Sequence, residues 1–202
     1  MRKQRWLSIL ILCSASASFA QHGWTVPNLK ELSEKDAIGR GAAQLSPEEL
    51  GPIKEVTQGA IADCVKDPGP WVPKTAGGIF KALRVKRVVL TADGVKGLVV
   101  QGYSSCMCGA TGNCPIWIIG EGSAPQLLLH RDGVQNFAVE ETHSSDLFDL
   151  VFGSHYSAME SYLQRFQFDG SKYRRTGCAT LEWSDPVGNR FDPPRIKVMR
   201  CD

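Results

Sequence analysis

The stretch "CMCGATGNC", Cys106 to Cys114, places three cysteines within nine residues. Thiols this close can hold a metal, exchange electrons or staple the chain. Structural zinc sites use two spaced Cys or His pairs. Here the candidate fourth ligands, Cys64 or a histidine, are isolated in sequence. A thioredoxin-type redox motif needs Cys-x-x-Cys, but one residue separates Cys106 from Cys108. A staple fits better. Gly109, Gly112 and Asn113 suit a tight reversal, which returns Cys114 toward Cys108 or Cys106. In extended chain Cys106 and Cys108 point to one side. One can join Cys114 while the other reaches another element, with Cys64 its candidate. Cys108–Cys114 and Cys64–Cys106 are the favoured pairs, and exchanging Cys106 with Cys108 stays open. No metal and no cofactor is expected.

Three other constellations carry chemistry. Ser154 and His155 adjoin in "GSHYS", after Asp146 and Asp149. A catalytic triad is a matter of spatial geometry, so adjacency is no support for one, and the G-x-S-x-G elbow is absent. The expected role is a polar turn. "HGW", His22 to Trp24, would bind copper through a free amino group and imidazole only after cleavage behind Gln21, a poor cleavage residue. "KALRVKR" crowds Lys81, Arg84, Lys86 and Arg87 together, the pattern of a solvated or protected edge strand. Of the tryptophans, Trp117 and Trp183 read as core, and Trp71 in a proline-rich loop is the candidate ligand contact.

The N-terminus bears on the compartment. Arg2, Lys3 and Arg5 precede the apolar "WLSILILC" and the small residues "SASASFA". That is the form of a secretory signal peptide, with cleavage expected after Ala20. The apolar run is shorter than the roughly 20 residues that span a bilayer, so no membrane insertion follows cleavage. The whole chain has 23 basic and 21 acidic residues, and the signal removes three basic ones, leaving 20 against 21. Near-neutral charge asks for no nucleic-acid partner. Six cysteines remain in the mature chain, an even number that fits disulfides in an oxidising compartment.

The elements that must position these residues are mainly β. Residues 21 to 45 read as an irregular arm ahead of one domain, 46–202. "SPEE" opens a helical segment, 46–66, with an N-cap serine, proline at the first turn and glutamate at N3. Gly51 and Pro52 are expected to interrupt it. Ile53, Val56, Ala60, Ile61 and Cys64 then share a face. From Ile79 the pattern is β. "FKALRVKRVVLT", "GLVVQG", "IWIIG" and "QLLLH" form one four-strand meander, and "NFAVEE", "FDLVFG", "LQRFQF" and "KYRRTG" a second. The two are packed like propeller blades or as a sandwich. "CATLEW" and "RIKVMRC" close as a C-terminal hairpin around "SDPVGNRFDPP". Pairing Leu181 with Val198 sets Cys178 opposite Cys201, close to disulfide reach.

"VVLTADGVKGLVVQG" and "FDLVFGSH" resemble worn FG-GAP or VCBS-type repeats. With "CGATGNC" and "QRFQFDGSKYRRTGC", residues 80 to 178 also resemble a group of uncharacterised secreted bacterial proteins. That resemblance implies no activity, and two repeats are too few for a closed propeller of about 4–8 blades. Such repeats often bind calcium, which wants six to eight oxygen ligands. The loop Thr91–Gly97 keeps one carboxylate, so no calcium is expected there. The whole reads as an exported, non-catalytic binding or structural protein of the periplasm or cell exterior. Its partner would be a protein or carbohydrate of the cell envelope. An inhibitor of a secreted lysozyme or protease is the alternative, with Pro68–Pro73 or Asp185–Pro194 as its blocking loop. A hydrolase using Ser154 and His155 comes third.

Overall fold

A computed structural model describes residues 23–40, 45–70, 72–121, 125–143, 146–185 and 187–201, with His143 described by its backbone alone. The signal region and Trp71 therefore lie outside the described residues. Two helices, α1 (Pro47–Lys66) and α2 (Ala76–Ala82), precede nine strands. These are β1 (Arg84–Val89), β2 (Lys96–Gln101), β3 (Cys114–Gly120), β4 (Gln126–Val134), β5 (Asn136–His143), β6 (Phe148–His155), β7 (Glu160–Phe168), β8 (Tyr173–Ser184) and β9 (Arg190–Met199). They form two antiparallel meanders, β1-β2-β3-β4 and β5-β6-β7-β8-β9. The mainly β architecture with an N-terminal helical segment is the one the sequence implies.

Alternation along the strands builds the layers. In β2 and β3, Val99, Ile116 and Ile118 face the second sheet, where they meet Phe137, Leu150, Phe152 and Phe166. Their neighbours Leu98, Val100, Trp117 and Ile119 face the other way, onto Ile53, Ile61, Cys64 and Ile79 of the helices. The far face of the second sheet buries Ala138, Val151, Leu163, Ala179 and Leu181 against Trp24 and Leu29 of the arm. Side chains on a strand point alternately to its two faces, so one sheet can serve two cores.

The helices differ from expectation at both ends. α1 runs unbroken through Gly51 and Pro52. Proline in this position removes one hydrogen bond, to the carbonyl of Glu48. Glu48 is exposed, so water can take that acceptor. The capping box forms as expected: Ser46 N–H donates to Glu49 Oε2 at 2.6 Å, and Glu49 N–H to Ser46 Oγ at 3.4 Å. The stretch Ala76–Ala82 is helix, and β structure starts only at Arg84. Thr75 Oγ1 accepts from Gly78 N–H at 3.1 Å and so caps α2. Ile79 and Leu83, four apart, are buried beneath it.

The C-terminal hairpin also differs. "KYRRTG" and "CATLEW" are one strand, β8. Gly177 lies at a register shift, pairing with Arg165 while Arg175 pairs with Phe166. A β-carbon there would stand 3.2 Å from the Trp24 ring, so the glycine admits a close approach and does not end the strand. β9 begins at Arg190, which makes the connection shorter than the sequence suggests. Asp185 organises that turn, its carboxylate accepting from Val187 N–H at 3.0 Å and Asn189 N–H at 2.9 Å. Pro193 and Pro194 are tolerated because β9 is an edge strand. Leu181 consequently pairs with Ile196, two residues from the expected Val198, and Cys178 with Met199.

One buried amide holds the corner where the chain passes from β4 to β5. Gln101 Nε2 donates to the carbonyls of Val134 and Gln135, each at 3.1 Å. Arg131 Nε reaches from β4 across the core to Gln164 Oε1 of β7, at 2.9 Å.

Candidate functional site: the cleft beside the cysteine loop

The six cysteines among the described residues are all paired: Cys64–Cys106, Cys108–Cys114 and Cys178–Cys201, with Cα separations of 5.1, 4.1 and 5.2 Å. These are the favoured pairs, and the exchange of Cys106 with Cys108 is not what the chain adopts. Such bonds indicate an oxidising, extracellular environment. No helix among the described residues is long and apolar enough to cross a membrane. Nor, among those residues, does any group of three or more His, Cys, Asp or Glu have the geometry to hold a metal ion.

The loop between β2 and β3 is built by local bonds. Met107 and Cys108 N–H both donate to Ser104 O, at 3.0 and 2.9 Å. Gly109 N–H donates to Asn113 O and Gly112 N–H to Gly109 O, both at 2.9 Å. Gly112 has φ +78°, the left-handed region that glycine enters without strain. Cys108–Cys114 closes this reversal, and Cys64–Cys106 fastens it to the last turn of α1. Asn113 then ties it to the second sheet: its Nδ2 donates to His155 O at 3.0 Å, and its Oδ1 accepts from His155 N–H at 2.8 Å.

A cleft of about 900 Å³ opens against this loop. Its walls come from the arm at Glu31 and Leu32, the proline-rich loop at Val72 and Pro73, and Ser104, Ser105, Cys108 and Gly109 of the cysteine loop. Arg84, Gln101, Tyr103 and Gln135 complete it. Tyr103 is 41% exposed, and the Arg84 guanidinium lies 3.9 Å from its ring centroid. The same guanidinium donates through Nη1 to Leu32 O. Arg84 Nε is buried and finds no hydrogen-bond partner among the described residues. An unsatisfied buried donor is costly. Trp71, the expected contact, adjoins this wall in sequence but lies outside the described residues.

The other sequence candidates do not converge. Ser154 Oγ donates to Gly133 O, which commits its proton to a carbonyl. His155 is the next residue of β6, so its side chain points to the opposite face. Asp149 is buried and accepts from Gln167 Nε2 at 2.9 Å, while Asp146 is exposed. "KALRVKR" is not one face: Lys81 sits on α2, Arg84 lines the cleft, and Arg87 pairs with Glu49 at 2.7 Å. Burial alone would raise the Glu49 carboxyl, but the Arg87 bond and the Ser46 amide hold it below the ordinary range. Trp117 is core, stacked on His130 at 5.1 Å. Trp183 is not core: it is 45% exposed, beside the shift in register between β8 and β9. In the loop after β1, Thr91 Oγ1 donates to the Asp93 carboxylate and accepts from Val95 N–H at 2.9 Å. Of the proposed blocking loops, Arg190–Pro194 belongs to β9.

Sequence reasoning missed the Arg84–Tyr103 pair, Gln101 and Asn113. It also missed Arg165, which is buried with its guanidinium 4.4 Å from the Trp24 ring and 3.2 Å from Glu140. A short signal existed only for Asn113, as a turn residue in the cysteine motif. No family model matches this chain, and no curated protein or solved structure matches it.

Proposed function

We propose that this is an exported, non-catalytic binding protein of the periplasm or cell exterior, and that its ligand is a carbohydrate of the cell envelope held in the cleft beside the cysteine loop. The observation that carries this reading is the Arg84–Tyr103 pair. A half-exposed aromatic ring stands against a guanidinium in a concave site walled by the Cys108–Cys114 disulfide. Ligand sites are concave and combine apolar surface with a few fixed polar groups. A tyrosine supplies an apolar face and a polar tip together, which suits a sugar ring. Glu31, Gln135, Ser104 and Ser105 add acceptors and donors around it. Export follows from reading Met1–Ala20 as a signal peptide, which sets Gln21 at the mature N-terminus.

Isothermal titration of the oxidised protein with soluble fragments of cell-wall glycan tests the reading. Saturable binding that Tyr103→Ala weakens at least tenfold is expected. Binding indifferent to Tyr103→Ala, or a ligand recovered cleaved, would refute it.

A further inference from the structure

The N-terminal arm meets β5 in one antiparallel pair. Lys30 N–H donates to Phe137 O at 2.7 Å, and Phe137 N–H to Lys30 O at 2.9 Å. Phe137 therefore turns its main-chain groups toward the edge of the sheet, where β5 is the terminal strand. Antiparallel hydrogen-bonded positions recur at every second residue, so Val139 presents its N–H and C=O to the same edge, and the regular pairing of β5 with β6 runs to Glu140 before its register shifts. Continuing the register backwards would bring Asn28 to Val139. A tight turn prevents this: Leu29 N–H donates to Pro27 O at 2.9 Å and bends the arm away, toward Trp24 and the far face of the sheet. The arm occupies the first outward position on β5 and leaves the next, Val139, open among the described residues.

Across the gap stands β1, the edge strand of the other sheet. The arm covers its start too, through Ile38 N–H to Leu83 O at 2.9 Å. By the same alternation Arg87 and Val89 turn their main chain to the gap. At the far end Phe148 N–H donates to Leu90 O at 2.7 Å and closes it. The result is a slot of about 660 Å³ between two strand edges, with Val88, Phe137, Val139 and Phe148 among its apolar lining. Lys30, Lys86 and Arg87 line it against one acid, Glu141. Arg87 is paired with Glu49, but Lys30 and Lys86 form no ion pair among the described residues. Lys86 is half-buried and shares a strand face with Val88.

We infer that this slot binds an extended segment of a partner polypeptide that carries a carboxylate side chain, added antiparallel to β5 where the arm leaves off. Three features select that occupant. The open position of β5 requires a backbone donor and acceptor, which a lipid chain cannot supply. The apolar lining accepts alternate side chains of a strand, the pattern of β-strand addition. The unpaired Lys86 then meets a carboxylate on the residue between. The chain already makes this contact with its own arm, so the partner continues an existing pairing.

Three capped hexapeptides test it, alternating valine with glutamate, threonine or lysine, each titrated into the oxidised, ¹⁵N-labelled full chain. The glutamate peptide should shift the amides around Val139, slow exchange at Val139, and bind at least tenfold more tightly than the lysine peptide. Lys86→Ala should weaken it about tenfold, the loss of one charge-assisted bond, with the unfolding midpoint unchanged. N-methylation of its alternate amides should abolish binding, a control that leaves the protein untouched should the variant prove unstable. Tyr103→Ala should leave it unaffected, which separates this slot from the carbohydrate cleft. Silence from all three peptides at millimolar concentration would overturn the inference. So would equal binding of the N-methylated peptide, or saturation of the same amides by dodecanoate at lower concentration than by the glutamate peptide.

Discussion

Asn113 shows what one side chain does for the cleft. Its amide gives and takes a hydrogen bond with the backbone of His155, so the cysteine loop behaves as an extra rung on β6. Asn113→Ala leaves both His155 groups half-buried without partners. The expected loss is about 2 kcal/mol, from net hydrogen-bond values near 1 kcal/mol each, read as a lower denaturant midpoint at unchanged slope. Glu140 shows a different balance. Burial raises its carboxyl above the ordinary value, the attraction of Arg165 lowers it, Asp149 raises it again, and burial prevails. A carboxyl raised in the folded state contributes stability that is fully present below its ordinary value of 4.5 and is lost as pH rises through the folded value. Glu140→Gln cannot ionise, so its stability relative to the natural chain should improve as pH rises from about 4 to 7. Parallel unfolding curves for the two proteins across that range would contradict this. Cysteine pairing was legible at this scale because even numbers and close spacing restrict it. Arg84, Tyr103 and Gln101 were not, because their roles arise between residues far apart in sequence.

Strands were read well where apolar runs are bounded by turn residues. Leu98–Val100 and Leu150–Phe152 each fall on the second strand of a sheet. The errors share one physical cause: local breakers whose cost the tertiary structure offsets. Gly77 and Gly78 are poor helix formers, yet α2 forms because Thr75 caps it and Ile79 is fully buried. Pro52 forfeits one hydrogen bond at a solvated turn, and Gly177 serves the packing of Trp24. β9 is the element most dependent on a covalent bond. Most of its side chains are exposed, and Cys201 just beyond it is anchored to the fully buried Cys178. Replacing both by alanine should cost about 3 kcal/mol, from closing a loop with a separation of 23 residues. Hydrogen exchange should rise along β9 well before β7. Uniform exchange across the second sheet would show that the bond is not what holds that edge.

At the scale of the molecule, two of the concave sites among the described residues differ in chemistry. One is walled by the arm, the proline-rich loop and the Cys108–Cys114 reversal, and holds the Arg84–Tyr103 pair. The other lies between strand edges and displays main chain. Neither could be read from sequence, since each is assembled from the arm, the sheets and, for the first, the cysteine loop. The choice of a binding protein rests on the cleft beside the cysteine loop being where a ligand sits. Amide chemical shifts recorded while soluble cell-wall glycan fragments are added to the oxidised protein address that directly. The account predicts saturable shifts at Tyr103, Ser104, Ser105 and Gln135, with Ser154 and His155 unmoved. Shifts centred on Ser154 and His155, or none at the four cleft residues at saturation of any binding, would contradict it.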